Sequence, residues 1–178
     1  NHCHTLLIFQ YLYKNNSEQL KTAKALTSLS CHGPAKTLWR IQDFTLETPS
    51  HLTLTDYSFK AGLTRLSFTS SDYALQFCRL GQAAARLKDE SLDSILLTLS
   101  GARDLQVSLS DDKTSCKATR CPGIAKQILL RMRKEKPFIE AQITNLSKQD
   151  RLLASVATST RPISADDIDY CNETFKIV

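Results

Sequence analysis

Glycine and proline are scarce in this 178-residue chain, with five of each, which excludes collagen-like and low-complexity classes. Long apolar runs are missing. The longest near the N-terminus, residues 6–9, has four residues. That is far short of the ~20 a membrane span needs, and too short for the core of a signal peptide. Aromatic residues make up only 7% of the chain, and all four histidines lie at positions 2, 4, 32 and 51. Methionine occurs once, as Met132, and the chain begins with Asn1; the expectation is a processed chain or a fragment of something longer. What is present is ordinary for a globular protein: 42% hydrophobic and 23% charged residues argue against intrinsic disorder. The length suits one domain, or two small ones, with a core that needs no metal or disulfide.

Six cysteines stand at 3, 31, 78, 116, 121 and 171, an even number compatible with three disulfides. Cys78 lies among Ala74, Phe77 and Leu80 and reads as a buried free thiol. The other five lie in polar or turn-rich stretches, where exposed thiols tend to be paired or metal-bound. Three of the five asparagines, Asn15, Asn145 and Asn172, open N-x-[ST] glycosylation sites. Together these features favour an extracellular, secreted, disulfide-bonded glycoprotein over an intracellular one.

Residues 5–29 favour helix, as two short segments or one kinked one, with Ser17 as an N-cap and Cys31-His32-Gly33-Pro34 as the stop. From 37 to 69 the character switches to β: a stretch over 38–46, then Leu52 and Leu54 alternating with Thr53 and Thr55, a turn at Ala61-Gly62, and a strand through Leu66 and Phe68. Tyr73, Phe77, Leu80, Ala84 and Leu87 recur at helical spacing and predict a helix over 73–87 capped by Ser70, Ser71 or Asp72. A hairpin is expected to pair 95–99 with Leu105, Val107 and Leu109, and a second to pair 139–143 with 152–156. Between them Pro122-Gly123 opens a helix over 124–134 that Pro137 stops, and the polar tail 161–178 gives no clear pattern. The fold class is therefore α+β: an antiparallel sheet with helices on one face, in an order a ferredoxin-like arrangement would satisfy, behind an N-terminal helical segment. One domain spans 1–178, or two subdomains meet as 1–112 and 113–178.

Catalytic signatures are missing. Glycines at 33, 62, 81, 101 and 123 cannot make a phosphate-cradling loop, and neither G-x-S-x-G nor H-E-x-x-H occurs. A histidine could still act as a base, but nothing in the sequence places a nucleophile beside it. His2-Cys3-His4, Cys31-His32 and the pair Cys116 and Cys121 offer soft ligands. Zinc sites show two knuckles, whereas here only Cys116 and Cys121 make one. Asp166, Asp167 and Asp169 lack the glycine and glutamate of a calcium loop, and Asp111-Asp112 reads as a solvated turn. No catalytic residue, metal or cofactor is expected.

Charge is the one concentrated signal. Residues 113–136 hold Lys113, Lys117, Arg120, Lys126, Arg131, Arg133, Lys134 and Lys136 against Glu135 alone, a net +7 where the whole chain carries +5, so the remainder carries −2. On the helix from Ile124, positions 124, 125, 128, 129 and 132 form an apolar face, with Lys126, Arg131 and Lys134 on the other side. A basic ridge made of Lys126, Arg131, Arg133, Lys134 and Lys136 attracts polyanions. The segment has no aromatic residue for base stacking. The expectation is a non-catalytic interaction domain that binds an acidic or polyanionic protein partner, with a nucleic-acid-binding or nuclear-assembly fragment as the alternative.

Overall fold

In the computed structural model residues 36–178 are described, apart from 103 and 164. The helix expected over 5–29, Asn15, the His2-Cys3-His4 cluster and Cys31-His32 lie outside the described residues. Along the described chain run β1 (Lys36–Ile41), β2 (Phe44–Pro49), β3 (Thr53–Lys60), β4 (Leu63–Thr69), β5 (Tyr73–Gly81), α1 (Ala83–Asp89), α2 (Leu92–Ser100), β6 (Gln106–Leu109), β7 (Ser115–Arg120), α3 (Ile124–Met132), β8 (Phe138–Leu146), β9 (Arg151–Ser159), α4 (Ala165–Thr174) and β10 (Lys176–Ile177). Seven strands form one sheet in the order β3-β4-β5-β9-β8-β7-β6, and three form a second, β1-β2-β10. The α+β class holds. All pairings among the described strands are antiparallel, and the large sheet is two meanders, β3-β4-β5 and β6-β7-β8-β9, joined where β5 pairs with β9, not the interleaved split β-α-β order of a ferredoxin-like sheet. A boundary between 112 and 113 would cut the β6–β7 hairpin, and β5 before it pairs with β9 after it.

Alternation along the central strands builds two cores. On β5, β7, β8 and β9, the side chains of Cys78, Leu80, Cys116, Ala118, Ile139, Ala141, Ile143, Leu152, Ala154 and Val156 face one way, against Ala83 of α1 and Leu92, Ile95 and Leu96 of α2. Leu66 and Phe68 of β4, Leu75 and Phe77 of β5, and Leu153 and Ala157 of β9 face the other way, against Phe44 and Leu46 of β2 and Ile168, Cys171 and Phe175 from α4 onward. Edge-to-face contacts order this second core: Phe175 lies 5.3 Å from both Phe44 and Phe77, and Trp39 lies 5.2 Å from Phe68. Helices therefore flank both faces of the large sheet, not one as the sequence led us to expect.

The expected hairpin of 139–143 with 152–156 is present, as Ala141 opposite Val156 and Ile143 opposite Ala154. The turn at Ala61-Gly62 is also present, with Gly62 at φ 74. The stretch over 38–46 is a hairpin, β1 and β2 joined at Gln42-Asp43, and not one strand. The helix expected over 73–87 is the strand β5 followed by the short α1. Inside a sheet covered on both faces, both sides of a strand are apolar, and such a run carries no period of two. The first strand of the hairpin expected at 95–109 is instead α2, whose Leu92, Ile95 and Leu96 make a buried helical stripe. The alternating Leu105, Val107 and Leu109 do lead into a strand, β6, which pairs with β7.

Cys78, Cys116 and Cys171 are buried and Cys121 is exposed, and all four are free thiols. The sequence placed Cys78 correctly. Cys116 and Cys171, expected in exposed turns, face the two cores because their strand and helix turn them inward. A disulfide-based case for an oxidising compartment gains nothing from these four.

Candidate partner-binding surface

Helix α3 lies between two buried prolines, Pro122 and Pro137. Gly123 is its N-cap residue, and the Nε2 of Gln127 donates to the carbonyl of Pro122 at 2.8 Å. Its C-terminus closes with a Schellman pair: the Glu135 amide reaches Leu130 O and the Lys134 amide reaches Arg131 O, both at 2.9 Å, with Lys134 at φ 60. At 3.6 residues per turn, Ile124, Ile128 and Met132 fall in one row, Ala125 and Leu129 beside it, and Leu130 on the opposite side. Leu130 is the buried one, at 5% exposure. Ile124, Ile128, Leu129 and Met132 are 79, 54, 47 and 78% exposed. The sequence identified the apolar face correctly, but that face points to solvent, and the helix is anchored through its polar side.

Polar contacts hold it that way. Arg120, at the end of β7, has a side chain 5% exposed, with Nη1 2.8 Å from Asp104 Oδ1 and Nε donating to Pro137 O at 3.0 Å. Its Nη2 donates to Lys136 O, and Glu135 lies 3.8 Å away. Lys126 of α3 sits 2.8 Å from the other oxygen of Asp104. Lys126 and Arg120 together hold the Asp104 carboxyl down to about 2, so the anchor stays ionised. Arg131 reaches Thr160 O at 2.8 Å.

The eight cations of 113–136 therefore do not act as one ridge. Arg120 is interior, Lys113 lies in the β6–β7 turn, Lys117 projects from β7, and Lys126 is paired. Arg131, Arg133, Lys134 and Lys136 are exposed, and among the described residues no carboxylate lies within ion-pair distance of them. Arg131 and Arg133 lie on opposite borders of the apolar row.

The remaining chemistry-bearing residues lie elsewhere in the fold. His51, the one described histidine, sits 3.1 Å from the Tyr73 hydroxyl and 3.2 Å from Asp167, beside a cavity of about 400 Å³. The Tyr73 hydroxyl donates to Asp167 at 2.7 Å. Burial, helped by Asp167, raises the Tyr73 pKa and keeps the phenol protonated. The serine hydroxyls lining that cavity donate to backbone carbonyls or to Asp72, so none is oriented toward His51 as a nucleophile would be. Asp167, expected in a solvated acidic turn, instead ties the first turn of α4 to β5. Asp112 accepts from Ser110 and Thr114, as a turn aspartate does. Cys116 faces the core while Cys121 is exposed, and among the described residues no group of three His, Cys, Asp or Glu could hold a metal ion. Asn145 is the penultimate residue of β8 and Asn172 lies in α4, each half-buried with its amide oxygen enclosed and unpaired. No described helix is long and apolar enough to cross a membrane. No protein-family model and no curated protein matches the sequence.

Proposed function

We propose that this protein is a non-catalytic interaction domain that binds an acidic protein partner through α3 and the unpaired cations around it, Arg131, Arg133, Lys134 and Lys136, with Lys126 of the expected ridge committed to Asp104. The carrying observation is the outward row of Ile124, Ile128, Leu129 and Met132 between Arg131 and Arg133. Monomeric domains seldom leave a contiguous apolar strip of this kind uncovered. Covering four such side chains, each about half to four-fifths exposed, is worth on the order of 4 kcal/mol in total at ~1.5 kcal/mol per side chain. That corresponds to roughly millimolar affinity before any cost of association. Charge must therefore contribute, and four unpaired cations supply it. A phosphate backbone would use the cations but leave the strip uncovered, which favours protein over nucleic acid.

The test is the triple reversal Arg131→Glu, Arg133→Glu and Lys134→Glu, measured by anisotropy against fluorescent polyglutamate and a short DNA duplex. The expected result is polyglutamate binding that weakens with salt and is lost in the triple variant, with a melting temperature lowered by no more than about 3 °C, since Arg131 gives up one exposed hydrogen bond to Thr160 O. Binding equal to wild type rejects the surface, and a clear preference for DNA rejects the protein partner.

A further inference from the structure

We infer that the segment received by α3 is itself helical: an acidic amphipathic helix whose apolar residues, spaced i, i+4 and i+7, lie on the Ile124–Ile128–Met132 row and whose Asp or Glu residues meet the arginines on either side. This rests on the interaction-domain reading above and specifies the partner's form.

Three observations carry it. First, the docking row is straight. Its three members are four residues apart on one helix, so they cover about 12 Å of axis at 1.5 Å per residue. None of the described cavities is lined by these side chains. An anchor residue inserting into a pocket is thus not the geometry offered; a row of knobs invites a second row packed alongside it, as between two helices. Second, α3 offers no strand-like edge: beyond its first-turn amides, its backbone groups bond within the helix and in the C-terminal pair. An extended peptide could add nothing here by strand pairing. Third, the charges border the row on both sides, the placement that flanking residues take beside an apolar helical seam, where they select a partner of opposite sign.

The same charges decide among occupants. A second copy of this chain would set its own Arg131 and Arg133 against these, a like-charge contact that disfavours self-association. A lipid surface is weakly served by nine residues without an aromatic side chain. The helix is also presented ready-made: Arg120, Lys126 and the two prolines fix its position, so little ordering is left for the moment of binding.

The experiment uses the 178-residue chain and a fluorescent designed peptide of about 18 residues, long enough for five turns, with Leu at i, i+4 and i+7 and Glu beside them. Its companions are a scrambled peptide of the same composition, polyglutamate of equal charge, and phosphatidylserine-containing vesicles. The amphipathic peptide is expected to bind about tenfold or more tighter than the scrambled one and to gain helical circular dichroism on binding. Ile128→Ser with Met132→Ser, and separately Arg131→Glu with Arg133→Glu, should each weaken it about tenfold while lowering the melting temperature by no more than about 3 °C, the share of the single exposed Arg131–Thr160 hydrogen bond. Scrambled peptide or polyglutamate binding as well as the designed helix overturns this inference and leaves the acidic-partner reading standing. Failure of every acidic ligand overturns both, and tighter binding to the vesicles overturns both in favour of a membrane surface.

Discussion

Arg120 counts among the basic residues of 113–136, yet its role is internal, and replacing it by methionine tests that directly. Arg120→Met keeps the length and apolar stem but removes five donors. Two carbonyls, Lys136 O and Pro137 O, then lose their guanidinium, and Asp104 keeps only Lys126. Removing one partner from a buried charged pair costs about 3–5 kcal/mol. Asp104 is 40% exposed, so water repairs part of its loss, and the low end, about 3 kcal/mol, applies. At roughly 3 °C per kcal/mol for a domain of this size, the midpoint should fall by about 9 °C. Arg120→Lys keeps the charge but not the planar fork, and should recover less than half of that. Thermal unfolding followed by circular dichroism reads both. A methionine variant within about 2 °C of wild type, or a lysine variant equal to it, refutes the assignment.

Two further outcomes follow from other parts of the fold. Asp43, in the β1–β2 turn, accepts from Arg79 on β5 and Arg151 on β9, and Arg79 foremost lowers its pKa; its stabilisation is complete above the unfolded value near ~3.9 and fades as pH falls through the lowered one. Asp43→Asn should therefore cost about 2 kcal/mol at neutral pH, in a deficit that shrinks as pH falls below the unfolded value, and a pH-independent deficit in urea unfolding refutes the linkage. Burial raises the thiol pKa of Cys78, Cys116 and Cys171, the last to about 12, while Cys121 is exposed. Native iodoacetamide treatment with peptide mapping should label Cys121 and spare those three, and labelling of Cys171 at the Cys121 rate contradicts the packing.

The sequence was legible where local punctuation and periodicity agree. Pro122-Gly123 and Pro137 bracket α3, and Ile139, Ala141 and Ile143 alternate into β8 as read. It misled at Tyr73–Gly81, because a strand covered on both faces has no polar side to reveal its period. It misled again at residues 92–100, where a short apolar run fits helix and strand alike. In the tail a signal was present and missed: Ile168, Cys171 and Phe175 stand three and four apart, the buried stripe that runs along α4 and just beyond. At the candidate surface, composition told which side of α3 is apolar but not which way that side turns. Orientation is set by Arg120, Asp104 and Leu130, which come from three separate segments and meet only in the folded state. Counting charges likewise could not separate Arg120, enclosed among carbonyls, from Arg133 in solvent.

The small sheet joins β2 near the start of the described chain to β10 at its far end, and its seam is reinforced by Thr174, whose hydroxyl takes the Glu47 amide at 3.0 Å across 127 positions. Such a closure is a late event, since a loop of that length must be gathered before its contacts repay the lost freedom. During synthesis the hairpins β3-β4-β5 can assemble while ribosome-bound. The aromatic cluster of Phe44, Phe77 and Phe175, however, waits for Phe175 to emerge. Until then Phe44 and Phe77 are left uncovered, a window in which a chaperone or a misdirected neighbour can reach them.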